Sequence, residues 1–104
     1  MKFVHIGVPT KEVKPGETYV EGMKVHVTSP DEHPYKFEYL RFDADTWLPK
    51  CMQENPHIAI EVPSIAEEIK KADEILVEPV AVDEHLTLCF AVFEGVIFEL
   101  MEKH

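Results

Sequence analysis

Positive charge is scarce in this chain: lysine and arginine together number 10 against 20 aspartates and glutamates, a formal net charge of −10. Such a field repels phosphate backbones and anionic headgroups, which argues against nucleic-acid binding and a membrane-surface role. Cysteine is scarcer still. Cys51 and Cys89 are the two present. They are far apart and form no Cys-x-x-Cys pair, so free thiols in a reducing compartment are expected rather than a disulfide. Cys89 lies in an apolar run and reads as a small core residue; Cys51, in a loop-like stretch, reads as an incidental thiol. Long apolar runs are missing as well. No stretch is long enough to span a bilayer, and no basic segment leads into an apolar run at the N-terminus. These absences point to a cytoplasmic protein with no nucleic-acid or membrane partner. Disorder is excluded from the other side, because 45% of the 104 residues are hydrophobic, enough for a core.

What is present is a repeat, and repetition constrains fold and site together. His5-Ile6-Gly7-Val8-Pro9 and His57-Ile58-Ala59-Ile60-Glu61-Val62 each set a histidine at the head of an extended, β-branched run. Each is followed by a second matched phrase, Phe37-Glu38-Tyr39-Leu40 after the first and Phe98-Glu99-Leu100-Met101 after the second. The order is His, Glu, His, Glu in two half-chains. On a strand over residues 3–8, Phe3, His5 and Gly7 share one face and Val4, Ile6 and Val8 the other. The histidine face looks toward a cavity or ligand, and the Val/Ile face wants a packing partner.

Residues 9–23, with Pro9, Pro15, Gly16 and Gly22, read as a loop. Residues 24–28 alternate as a second strand, with Val25 and Val27 on one face. Ser29 to Pro34 is a turn signal, and residues 35–43 form a third strand. Residues 44–56 connect the modules. Trp47, Leu48 and Met52 make this segment too apolar for a solvated linker, so it is expected to fold back over a sheet. In the second half, Ser64-Ile65-Ala66-Glu67 fits a capping box before a short amphipathic helix over about 65–72. Ile75 to Glu78 is a strand stopped by Pro79. Leu86 to Phe93 and Val96 to Met101 are strands around an Glu94-Gly95 hairpin. The interval from His57 to Glu99 exceeds that from His5 to Glu38 by about the length of this helix. The first module, about 1–43, therefore reads as a shortened copy of the second, about 57–104, without its helix. Val4, Ile6, Val8, Val25, Val27, Phe37 and Tyr39 would then form a sheet face that the 44–56 segment or a second subunit must cover. A homodimer is expected.

On these phrases the chain resembles the vicinal oxygen chelate superfamily, the glyoxalase, bleomycin-resistance and dioxygenase-like group, over nearly its whole length. The resemblance implies a single α+β domain over 1–104, built of two βαβββ-type modules that form a half-open β cup. It implies metal ligands at His5, Glu38, His57 and Glu99, and catalytic proton transfer by Glu99 or Glu38. Two imidazoles and two carboxylates suit zinc, nickel, cobalt, manganese or iron(II) better than calcium or magnesium. The function implied is that of a metal-dependent lyase or isomerase acting on a small oxygen-rich, α-hydroxycarbonyl-type substrate. The alternatives are a non-catalytic protein of the same fold that sequesters a small molecule, and a purely structural dimer module. His26 reads as exposed or as support to a ligand, His33 and His85 as solvated, and Glu61 and Glu102 as surface charges. Tyr39, Trp47 and Phe93 read as core or interface aromatics.

Overall fold

Both phrases that open on histidine are strands: β1 spans Lys2–Pro9 and β5 spans His57–Glu61. A computed structural model describes residues 1–104, and the chain divides into two compact units. One is His5–Pro56; the other is His57–His104 together with Met1–Val4. β1 therefore changes unit in mid-strand, between Val4 and His5.

In the first unit the strand order is β2-β3-β4-β1, with β2 at Thr18–Val20, β3 at Val25–Val27 and β4 at Phe37–Phe42. β1 and β4 are parallel, and the other pairs are antiparallel. Loops and single 3-10 turns join these strands, so this module lacks the helix of its partner, as the interval arithmetic predicts. A five-residue helix, α1 (Lys50–Glu54), follows only after β4. It places Cys51 on a helix rather than in a loop. The 44–56 segment does fold back: Leu48 and Met52 are buried. The Thr46 hydroxyl donates to the Met23 carbonyl and the Trp47 indole N–H to the Gly22 carbonyl, both at 2.7 Å.

The faces of this sheet differ from expectation. Val25 lies opposite Phe42 and Val27 opposite Leu40, so both valines share the face of Glu38 and Leu40. They do not join Ile6, Val8, Phe37 and Tyr39. Alternation fixes faces within a strand, but only register fixes them between strands, and a shift of one residue exchanges them. The face carrying Phe37, Tyr39 and Arg41 is instead dressed by polar and aromatic contacts. His33 stacks on Phe37 with ring centroids 4.6 Å apart. The Lys14 ammonium lies 4.5 Å from the Tyr39 ring centroid. Arg41 makes a two-pronged ion pair with Glu17, at 2.7 and 2.9 Å.

In the second unit the order is β5-β8-β7-β6, with β6 at Glu74–Asp83, β7 at Leu86–Phe93 and β8 at Val96–Lys103. β5 and β8 are parallel; β8, β7 and β6 run antiparallel in turn. The hairpin between β7 and β8 turns on Glu94 and Gly95, both with positive φ (52° and 85°), as a two-residue turn of this kind requires. The helix α2, Ile65–Glu68, continues as a 3-10 turn over Ile69–Lys71. Its apolar face packs with Val62, Cys89 and Leu100, flanked by Ile60, Phe93 and Phe98.

The predicted capping box is half formed. The Ser64 hydroxyl accepts from the Glu67 N–H at 3.2 Å, but Glu67 turns outward to Lys70. The second cap comes from far along the chain: Glu102 Oε1 accepts from the Ile65 N–H at 2.7 Å. Glu102 is thus a helix cap rather than a free surface charge. Pro79 does not stop its strand either. β6 runs on to Asp83 with register shifts around Pro79, tolerated because β6 is an edge strand and a missing N–H there breaks no ladder on its outer side.

Candidate metal centre

In each unit a histidine on the first strand meets a glutamate on the strand parallel to it. Parallel pairing sets Gly7 beside Glu38 and Ala59 beside Glu99. The residue two places after each histidine is therefore small. A histidine and a small residue share one strand face, and this leaves the neighbouring carboxylate room to reach the imidazole. His5 Nε2 lies 3.3 Å from Glu38 Oε1, and His57 Nε2 lies 3.1 Å from Glu99 Oε1.

His5, His57 and Glu99 are buried and Glu38 nearly so, in a chain whose acidic residues are otherwise mostly solvated. The two glutamates differ: the side chain of Glu38 is 18% exposed and that of Glu99 8%. The difference follows from the ladders. Glu99 is flanked by β5 on one side and β7 on the other, where Phe90 is its partner. β3 ends opposite Leu40, before it reaches Glu38.

One ligand atom from each of His5, Glu38, His57 and Glu99 can be chosen so that all lie within 4.8 Å of one another. Nitrogen and carboxylate oxygen bind divalent transition metals at about 2.0–2.2 Å, which puts adjacent ligands about 3 Å apart and opposed ones about 4 Å apart. The two His–Glu separations match the adjacent spacing. With neutral imidazoles and ionised carboxylates, the set offers two negative charges against a divalent cation. The cluster is thus capable of chelating a divalent metal, and its mixed N and O donors leave the metal's identity open.

The other histidines lie elsewhere. His26 shares the Arg41 face of the first unit, opposite Glu38. It is half-buried rather than exposed, with Nε2 3.1 Å from Asp43 Oδ1 and its ring 4.5 Å from that of Tyr19. His33 is stacked on Phe37 rather than solvated, and His85 is exposed as expected. Glu61 does read correctly as a surface charge, paired with Lys103 at 3.2 Å. Trp47 is 51% exposed, anchored through its N–H. The network of Glu17, Arg41, His26, Asp43 and Tyr19 was not legible from local pattern, because its members lie up to 24 residues apart. Within it the Arg41 guanidinium holds the Glu17 carboxyl down to about 2, and the Asp43 carboxylate pushes the Tyr19 hydroxyl up to about 12.

No protein-family model and no curated protein matches the chain. Among solved structures, it is similar to the hypothetical protein BH1468 from Bacillus halodurans C-125. The two share 23% sequence identity with a TM-score of 0.71 over 99% of this chain and 94% of that one. That likeness is one of fold. Fold and donors together define a class: two β-rich modules, the first without its helix, carrying a His/Glu metal-chelating cluster. These features are consistent with the vicinal oxygen chelate superfamily.

Proposed function

We propose that this protein is a glyoxalase-like, metal-dependent lyase or isomerase of a small oxygen-rich substrate, with His5, Glu38, His57 and Glu99 as ligands. The observation that supports this reading is the gathering of two imidazoles and two carboxylates within 4.8 Å, three of the four residues buried and Glu38 nearly so. A bound divalent ion would supply Lewis acidity toward adjacent carbonyl and hydroxyl oxygens. His57 and Glu99, the more enclosed pair, hold position. Glu38, the more reachable carboxylate, would take the proton from the carbon beside the carbonyl and return that same proton to the neighbouring carbon, Glu99 being the alternative carboxylate for this role.

Elemental analysis of the purified chain tests the ligand set. Wild type is expected to carry a stoichiometric divalent metal, and His5→Ala and Glu99→Gln to lose most of it; unchanged content in both variants removes the site. Turnover of hemithioacetals and other α-hydroxycarbonyl compounds separates catalysis from sequestration. Glu38→Gln is expected to lower turnover by at least about a hundredfold, the usual worth of a positioned base. The reading extends to a cytoplasmic homodimer, supported by exposed Ile75, Val80 and Val82 on the β6 edge strand. Light scattering at about twice the monomer mass is the expected result.

A further inference from the structure

The ring of Phe90 stands at 89° to the imidazole of His57, with centroids 5.3 Å apart. Phe90 is also the residue directly opposite Glu99 across the β7–β8 ladder. One aromatic side chain, 4% exposed, thus borders both members of the His57–Glu99 pair. We propose that Phe90 is a positioning residue that holds the His57 imidazole in the orientation that presents Nε2 beside Glu99, making the second module the pre-formed half of the metal centre. This rests on the metal-binding reading above.

An imidazole on a strand can turn about its outer side-chain torsion, which is broad, so its nitrogen direction must be set by neighbours. Glu99 constrains Nε2 from one side. A perpendicular aromatic ring constrains the plane, because tilting the imidazole spoils a favourable edge-to-face contact. Phe90 is itself fixed by its neighbours on the strand: Cys89 and Ala91 beside it are fully buried, so β7 cannot shift to let the ring swing. Glu38 lacks this second flank, since β3 stops short of it. The module that ends early leaves its carboxylate the freedom to move; the module with the complete ladder keeps its pair still.

The same strand β8 offers a built-in control. Phe98 also makes a perpendicular ring contact, with Phe93 at 5.6 Å, but on the helix-covered face away from Glu99. Phe90→Leu and Phe98→Leu each remove one such contact while keeping an apolar side chain. Cobalt(II) titration of the full chain, followed by visible absorption, reads ligand geometry and affinity together. Phe90→Leu is expected to weaken cobalt binding about tenfold, the scale of losing support around a ligand, and to change the band shape. Phe98→Leu is expected to leave both unchanged even where it lowers the melting temperature. Equal spectra and affinities for wild type and Phe90→Leu overturn the positioning role, as do equal losses in both variants. In the metal-free wild type, nitrogen NMR is expected to show His57 as a single tautomer with a ring-current-shifted proton. Averaged, unshifted His57 signals overturn the proposal without any variant. Failure of wild type to bind cobalt at all overturns the metal reading itself, an outcome distinct from all of these.

Discussion

A carboxylate inside a sheet keeps its charge only where neighbours answer it. Glu17, just before β2 and with its side chain 11% exposed, shows the same requirement. Its ionised form is favoured chiefly by Arg41, which holds it at about 2 against an ordinary 4.5. The folded value lies below the unfolded one, so the contribution is complete above about 4.5 and is lost as pH falls toward about 2. Thermal melts between pH 5 and 2 are therefore expected to fall less steeply for Glu17→Gln than for wild type. The thiols differ in the same way. Burial, with the Glu78 charge adding to it, pushes Cys89 up to about 11, whereas Cys51 is half-exposed on α1. A colorimetric disulfide reagent is expected to titrate Cys51 promptly and Cys89 only on unfolding. Beside the candidate ligands, Ala59 is fully buried against Glu99. Ala59→Val is expected to cost about 1–3 kcal/mol by urea denaturation through overpacking, and to lower metal content.

At the level of elements, helix α2 shows what local pattern reveals and what it misses. Ser64 announced the helix start through its hydroxyl and its spacing to the apolar residues. Glu102, 37 residues beyond the N–H it caps, gave no local sign. Ser64→Ala is expected to cost about 1 kcal/mol in urea denaturation, as for an ordinary lost cap. The strands were legible because alternation is a local property: His5 with Gly7, and His57 with Ala59, declare their faces within a few residues. The pairing of β3 with β4 is not legible in this way, so alternation alone puts Val25 and Val27 on the face opposite to the one they occupy. Pro79 misled for a related reason. A proline forbids one hydrogen bond, and whether that bond was needed depends on being an edge strand, which is known only from the assembled order.

For the molecule as a whole, the candidate ligands were readable because the repeat carries them in matched places, whereas their separations are set by ladders that no single segment encodes. The candidate ligands lie on strands far apart in sequence, so a metal bound to the folded chain would have little counterpart in the unfolded one. Saturation at about a hundred times the dissociation constant adds about 2.7 kcal/mol. For a chain of this size that is roughly a 10 °C rise in melting temperature. Differential scanning calorimetry with and without a chelator is expected to show this rise in wild type and not in His5→Ala.

β1 belongs to one unit as far as Val4 and to the other from His5 onward. A cut at the sequence midpoint, which the repeat invites, would therefore not release two self-sufficient halves. The later half would be left without Met1–Val4, which group with it. Swapping one repeat for a homologous one has to carry the opening tetrapeptide along with residues 57–104, although more than fifty positions separate them in the sequence.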